Sequence, residues 1–431
     1  MPWRESGVVD ERARFVFEYE KGELSMAELC REYGIARKTG YKWLARHAED
    51  GWEGLRDESR APRRHPNQTP WQIEQQVLEL RQAHMRWGPR KLRHYLQRQQ
   101  GSVAWPAAST MGDLLKREGL VIPRKKRRRT PPYGEPFASA DAPNQVWCAD
   151  FKGWFRTQDG ERIDPLTITD AHSRYLLRCQ AVEKTDTARV QAIFEAVFRE
   201  YGMPEAIRTD NGAPFASRAI AGLSRLAVSW MKLGIVPERI APGHPEQNGR
   251  HERMHRTLKE ETATPAAVNR RAQQRCFDRF RCEYNQERPH EALGQKTPAS
   301  TYTPSPLVYP ERVQEPEYDS DLQIRKVGHR GEFSWKHQEV FLSETLIGER
   351  VGLEAMEEDY WLVYFAAFPI AVFDSRALAV GALPESIGGW KSGNLKSGDS
   401  QIPTAATATT GSPAKNDNQN PGPKVLPMCP V

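Results

Sequence analysis

The stretch QVWCADFKG, residues 145–153, determines how the central part of the chain folds. Apolar and polar residues alternate along it, so one face of a strand carries Trp147, Ala149 and Phe151 while the other carries Asp150. An acid in an aromatic-rich strand is costly to bury unless a cation or a metal compensates its charge. A lysine partner would compensate it as well as a metal would, so Asp150 alone does not identify a site.

A second acid follows another short strand. Asp210 lies in IRTDNG, residues 207–212, where Asp-Asn-Gly is also ordinary turn chemistry. Acids at the ends of strands in one α/β sheet can converge on a site. Carboxylate oxygens are the ligands that Mg²⁺ prefers, and two such ions about 4 Å apart activate an attacking oxygen and stabilise a leaving one. Asp150 and Asp210 are therefore candidate metal ligands.

Strands and helices alternate around these two acids. Predicted helices cover residues 187–202, residues 216–234 and a block from about residue 248, and Thr185 or Asp186 caps the first of them. A strand-rich start followed by this alternation predicts a mixed α/β sheet with helices on both faces.

Residues 10–50 have the pattern of three short helices. Ser25 and Glu28 have the capping-box spacing, and a turn separates the second helix from the third. The third helix carries four exposed basic residues, namely Arg37, Lys38, Lys42 and Arg46. The pattern predicts an all-α helix-turn-helix DNA-binding domain over residues 1–56. The alternative is a small helical bundle whose basic face only confers solubility.

Two linkers frame a second helical unit. Residues 57–70 are proline-rich, and residues 71–123 repeat the helix-turn-helix pattern more weakly, because the third helix has few cations. Residues 124–143 begin with RKKRRR, and six positive charges in six residues indicate a polyanion partner. We expect Lys125 and Arg127 to lie along DNA phosphates.

The C-terminal part has a different texture. Short strands with frequent turns over residues 320–375 predict a small β-barrel. Residues 376–431 are rich in small and polar residues without periodicity, which predicts a disordered tail.

Composition excludes several classes of protein. The six cysteines include no CxxC pair, which argues against a disulfide framework and a structural zinc site. The N-terminus is too charged for a signal peptide, and no apolar run reaches the length of a membrane span. We expect a soluble intracellular protein with no membrane partner.

From Val146 to about Tyr302 the sequence resembles the catalytic core of DDE transposases and retroviral integrases. Four blocks carry the resemblance in order: VWCADFKG, RTDNGAPF, GHPEQNGRHERMHRTLKEE and YNQERPHEALGQKTPASTY. Helix-turn-helix units before such a core and a small barrel after it are similar to bacterial insertion-sequence transposases. The resemblance implies a ribonuclease H-like catalytic core over residues 144–302 and a location in the bacterial cytoplasm, on the nucleoid when DNA is bound.

Two glutamates compete for the third acid position that the resemblance implies. Glu246 has 35 residues between it and Asp210, the usual family spacing, but it lies in a turn directly after a proline. Glu252 has 41 residues before it and follows the Asn-Gly turn on the helical run RHERMHRTLKEE, where the family places its glutamate. A metal ligand works best on an element that fixes its rotamer, which favours Glu252. The competing interpretation of Glu252 is a surface ion pair with Arg256.

The resemblance then implies a metal-dependent DNA transposase. Asp150, Asp210 and Glu252 would bind two Mg²⁺ or Mn²⁺ ions, and the enzyme would act as a homodimer or larger assembly on double-stranded DNA, at terminal inverted repeats and at target DNA. Around the site, the residues expected to contact DNA are Asn211, Gln247, Asn248, Arg250 and Arg256.

Two other functions fit parts of the pattern. A transposase-derived DNA-binding regulator without catalytic activity would keep the same domains. A ribonuclease H-type nuclease would share the core, although it has no need of tandem helix-turn-helix units.

Overall fold

The computed structural model describes residues 7–58, 68–121, 140–217, 219–240, 249–357 and 359–384. The described residues form two compact units, which meet in the sequence between residues 71 and 72. No helix in these described ranges is long and apolar enough to cross a membrane.

The first unit contains three helices, α1 (Val8–Lys21), α2 (Met26–Glu32) and α3 (Arg37–Asp50). The predicted capping box is present, because the Ser25 backbone N–H donates to the Glu28 carboxylate at 2.9 Å. Tight packing fixes α3: a Cβ added at Gly40 would lie 2.8 Å from Phe15. The helix-turn-helix arrangement predicted for this region is therefore confirmed.

The second unit begins with the predicted second helical segment. Its helices are α4 (Trp71–Ala83), α5 (Pro89–Gln99) and α6 (Ala108–Arg117). Side chains join them to a later part of the same unit: His84 Nδ1 lies 2.9 Å from Glu283 Oε1, and Arg90 donates to Glu291 at 3.1 Å.

A six-stranded mixed sheet lies at the centre of the second unit. Its strands are β1 (Val146–Phe151), β2 (Phe155–Arg156), β3 (Arg162–Asp170), β4 (Leu176–Val182), β5 (Ala206–Thr209) and β6 (Val236–Arg239). The order is β2-β3-β1-β5-β6, and β4 pairs with β3. Strand β1 is antiparallel to β3 and parallel to β5, and β5 is parallel to β6.

Helices cover both faces of this sheet. They are α7 (Thr187–Tyr201), α8 (Arg225–Lys232), α9 (Gly249–Thr262) and α10 (Arg270–Cys282). Helices α7 and α8 pack on the Trp147 face, whereas α9 and α10 pack on the opposite face through Met254, Leu258 and Phe277. The mixed sheet and its two helical layers agree with the predicted core.

Two details of the core differ from the prediction. The helix predicted over residues 216–234 begins only at Arg225, because the Ser224 side chain caps it by accepting from the Ala227 N–H at 3.1 Å. Strand β6 was not predicted. It has only four residues, one of them Pro237, and it forms by parallel pairing with β5.

The strands after residue 320 form open sheets rather than a closed barrel. They are β7 (Gln323–Lys326), β8 (Glu332–Trp335), β9 (Gln338–Phe341), β10 (Arg350–Glu357), β11 (Tyr360–Phe365), β12 (Phe368–Asp374) and β13 (Ala379–Gly381). Five of them follow the order β13-β12-β11-β10-β7, and β8 pairs with β9 in a separate hairpin. Aromatic contacts, rather than strand pairing, join the hairpin to the larger sheet, since Trp335 of the hairpin packs against Trp361 and Phe373. The strands therefore do not close into a barrel.

The region predicted as a disordered tail starts with structure. Strand β13 lies within it and pairs with β12, so that Phe373 is opposite Val380. Residues 385–431 lie outside the described ranges.

Candidate active site

Strand pairing brings Asp150 and Asp210 to the same edge of the sheet. Strands β1 and β5 are parallel neighbours, and Ala149 is paired with Thr209. Asp150 follows Ala149 along β1, and Asp210 follows Thr209 directly after β5. Neighbouring strands lie about 4.8 Å apart. The two candidate ligands found in the sequence are thus adjacent in the fold.

Each of these acids has a defined local setting. Asp150 is paired with Thr167 on β3, and its side chain is 13% exposed. The Asp210 carboxylate accepts the Gly212 N–H at 3.1 Å, which orders the turn that follows β5. Backbone pairing and turn formation therefore fix the starting points of both side chains.

Two buried histidines attach α9 to the sheet beside Asp150. His251 Nε2 and His255 Nε2 lie 2.7 and 2.6 Å from Thr167 Oγ1, which also donates to the Asp150 carbonyl oxygen at 3.1 Å. A hydroxyl has one proton and two lone pairs, so all three contacts are satisfied when both histidines donate from Nε2. We call these three side chains, Thr167, His251 and His255, the histidine clamp.

Burial keeps the two imidazole rings of the histidine clamp uncharged. Loss of solvation lowers the pKa of His251 to about 4. It also lowers the pKa of His255 to about 2, with smaller contributions from His251 and Lys152. Neither residue was predicted from the sequence. Their four-residue spacing together with Met254 and Leu258 marks a helix face that packs on the sheet.

Glu252 lies in the first turn of α9 and is exposed. His255 follows it by three residues, so the two are neighbours on the helix surface. His255 Nδ1 is 3.9 Å from Asp150 Oδ2. The clamp thus holds the helix that carries Glu252 against the strand that carries Asp150.

The donor chemistry of this edge suits a hard divalent cation, since carboxylate oxygens on rigid elements are the preferred ligands of Mg²⁺. Within the described ranges, however, no group of three or more His, Cys, Asp or Glu side chains has an arrangement that could hold a metal ion. Glu246, Gln247 and Asn248 lie outside those ranges, as does the side chain of Arg250.

The predicted DNA-contacting residues have different settings. In α3, Arg37, Lys38 and Lys42 are exposed, whereas Arg46 donates to the Arg56 carbonyl oxygen at 2.9 Å and ion-pairs with Glu58 at 3.1 Å. Arg46 therefore also has a structural role in the first unit.

Two further predicted contacts lie near the acidic edge. The Asn211 amide donates to the Ile240 carbonyl oxygen at 2.7 Å, and Arg256 is exposed on α9. Lys125 and Arg127 lie outside the described ranges.

Family models match both the candidate site and the N-terminal helices. Models described as an integrase core domain match residues 140–245 and residues 233–298. A helix-turn-helix domain matches residues 11–63, and a homeodomain-like domain matches residues 39–115.

Known proteins show the same likeness. An uncharacterized 39.2 kDa protein of insertion element IS476 from Xanthomonas euvesicatoria is 30% identical over 52% of this chain. The match spans 62% of that relative's length. The transposase for insertion sequence element IS904 of Lactococcus lactis subsp. lactis is 28% identical over 37% of this chain and 61% of its own length.

Among solved structures, the HTLV-2 integrase catalytic core domain in complex with magnesium is similar at 16% identity with a TM-score of 0.30. The similarity covers 37% of this chain and 97% of that one. The family matches show that the chain contains integrase core and helix-turn-helix segments, and the chain is similar to insertion-element proteins, one of them a transposase.

Proposed function

We propose that the chain binds terminal inverted repeats and catalyses metal-dependent DNA cleavage and strand transfer, with Asp150, Asp210 and Glu252 as the metal ligands. The observation that supports this proposal most is the parallel pairing of β1 and β5, which places Asp150 and Asp210 on neighbouring strands at the same end of the sheet. The histidine clamp supports the choice of Glu252, because it anchors α9, the helix that carries Glu252, next to Asp150.

The chain's own residues would position the reacting DNA. Two Mg²⁺ or Mn²⁺ ions, when bound, would activate the attacking oxygen and stabilise the leaving one. Asp150 and Asp210 approach from fixed strand ends, whereas Glu252 approaches from a helix, so the DNA phosphate would lie between the sheet edge and α9. Arg256, on the exposed side of the same helix, is suited to contact the adjoining backbone.

DNA recognition would be divided among several segments. Arg37, Lys38 and Lys42 on the exposed face of α3 are suited to the major groove. Lys125 and Arg127 in the basic linker would hold phosphates without reading sequence. Asn211, Gln247, Asn248 and Arg250 would line the DNA end. Joining two element ends requires at least a homodimer.

A strand-transfer assay tests the proposal. A labelled terminal-repeat duplex is incubated with plasmid and Mg²⁺ or Mn²⁺, using wild type, Asp150→Asn and Asp210→Asn. We expect joining by wild type only, with duplex binding by all three proteins. If wild type binds the repeat yet never joins it with either ion, the chain is a DNA-binding regulator and the proposal is wrong.

A further inference from the structure

An exposed tryptophan follows the strand that carries Asp150. Trp154 lies in the turn between β1 and β2, four residues after that acid, and it is 55% exposed. Gly153 precedes it with a φ of 85°, a left-handed conformation that side chains disfavour, and this glycine lets the chain turn out of β1.

Two arginines hold the indole in place. The guanidinium carbon of Arg162 lies 5.0 Å from the ring centroid, and that of Arg156 lies 5.9 Å from it. Arg162 is itself fixed, since it donates to Asp164 Oδ2 at 2.9 Å. Cation–π contacts of this kind orient the ring. The indole is thus a pre-organised flat surface in a positively charged setting.

A cavity of about 250 Å³ adjoins this surface. Residues of the β1–β2 turn and its strands line one side, and α9 and α10 line the other; the polar lining residues are Lys152, Lys259 and Thr262, and the aromatic ones are Trp154, Phe155 and Phe277. Of the described residues that line it, none is acidic. The cavity therefore attracts an anion, and its size admits one nucleotide rather than a duplex.

The β2–β3 hairpin, which begins directly after Trp154, is tied to the loop after α9. Backbone N–H groups of Gln158 and Asp159 donate to the carbonyl oxygens of Ala267 and Val268 at 3.0 and 3.1 Å. These bonds fix the chain that follows Trp154 relative to the loop after α9. A rigid aromatic surface loses little entropy when a base stacks on it.

We propose that this cavity binds one unpaired nucleotide of a DNA strand, with its base stacked on Trp154 and its phosphate near Lys152 and Lys259. The inference rests on the proposed function, because that function brings a DNA strand end to the neighbouring acids. Stacking on an aromatic ring tolerates any base, so the pocket would select unpaired nucleotides without selecting a sequence.

The test compares duplexes that carry a one-nucleotide overhang with the same duplexes whose overhang is abasic. Affinities are measured by fluorescence anisotropy in Ca²⁺, with wild type, Trp154→Ala and Trp154→Phe. We expect wild type to bind the overhang with a base about tenfold more tightly than the abasic one, from the usual worth of one stacked base. Trp154→Ala should abolish that ratio, and Trp154→Phe should keep most of it.

Phe341→Ala is the matched control, because Phe341 is a similarly exposed aromatic residue on a different sheet. It should leave the ratio unchanged. The inference is overturned if wild type binds the two overhangs equally tightly, or if its preference for the overhang with a base survives Trp154→Ala. In either case, binding of a blunt duplex by wild type leaves the proposed function standing. Failure of wild type to bind any duplex would refute both.

Discussion

Thr167 shows how much one side chain contributes to the candidate site. Its hydroxyl contacts the Asp150 backbone and both clamp histidines, which belong to a helix more than 80 residues further along the chain. No local pattern in the sequence indicates that pairing, because a threonine in a strand and two histidines on a helix are each ordinary. The clamp could only be found from the folded chain.

We expect Thr167→Val to lower the free energy of unfolding by about 2 kcal/mol, since it leaves two buried histidine donors without an acceptor. It should also reduce strand transfer while duplex binding persists, because α9 loses its anchor beside Asp150. Urea denaturation and the joining assay measure the two effects.

Thr169→Val is the control for that variant. Thr169 Oγ1 contacts His251 only at 3.4 Å, so its loss should cost less than that of Thr167. Equal stability of Thr167→Val and wild type would contradict the role given to the clamp.

Other single-residue expectations from the sequence agree with the structure. The alternation in residues 145–153 placed Trp147 and Ala149 in the core, and both are buried. Of the two predicted caps of α7, Thr185 and Asp186, it is Asp186 that caps the helix, because its carboxylate accepts the Arg189 N–H at 2.9 Å. Local periodicity and capping patterns carry this information, so these features could be predicted from the sequence.

At the scale of elements, β6 depends on β5 rather than on its own sequence. A buried ion pair crosses the two strands: Arg208 donates to Glu238 Oε2 at 3.0 and 2.7 Å. Both residues are less than 10% exposed. A four-residue strand that contains proline has too weak a pattern to be predicted, and the pairing with its neighbour defines it.

Arg208→Met should destabilise the protein by about 3–5 kcal/mol, because it leaves the Glu238 carboxylate buried without its cation. The double variant with Glu238→Leu should recover much of that loss, since both charges are then absent. Thermal unfolding of the single and double variants measures this. An Arg208→Met protein as stable as wild type would contradict the stabilising role given to the Arg208–Glu238 ion pair.

Lys91, on α5, gives the helical segment next to the sheet a pH dependence. Burial, with a smaller contribution from Arg288, lowers the pKa of Lys91 to about 8, although Glu261 and Glu291 oppose the shift. The unfolded chain then binds more protons than the folded one between pH 8 and pH 10.5, so stability rises with pH across that window. Below pH 8 the cost of burying the charge is fully present.

We therefore expect Lys91→Met to raise the melting temperature at pH 7 and to remove the rise in stability between pH 8 and 10.5. Thermal unfolding across this range measures both effects. Lys116→Met, at an exposed position on α6, is the control and should keep the wild-type slope. A Lys91→Met protein that melts below wild type at pH 7 would show that the ammonium is stabilised rather than strained.

At the scale of the whole molecule, the C-terminal sheets share a core with the central one. Val363 and Phe365 of β11 belong to the same buried cluster as Val228 and Met231 of α8. Lys232 and Glu349 form an ion pair at 2.6 Å across this contact. The sequence predicted the strands but placed them in a barrel, because strand patterns do not reveal which faces pack against a distant helix.

The first unit has its own core, so its removal should leave the second unit folded. We expect deletion of residues 1–56 to reduce the preference for the terminal repeat over a scrambled duplex by at least about tenfold, because α3 is lost. Binding to any duplex and joining in Mn²⁺ should persist. Competition binding with both duplexes measures the preference. An unchanged preference would assign sequence recognition to the second unit.

Strand transfer by Glu252→Gln beside Glu246→Gln tests the central claim most directly. Both variants remove one carboxylate within six residues of each other, so they are matched in charge and location. We predict that Glu252→Gln binds the terminal repeat as wild type does but joins none of it, while Glu246→Gln joins normally. Joining that survives Glu252→Gln would contradict the assignment of Glu252, on α9, as the third metal ligand.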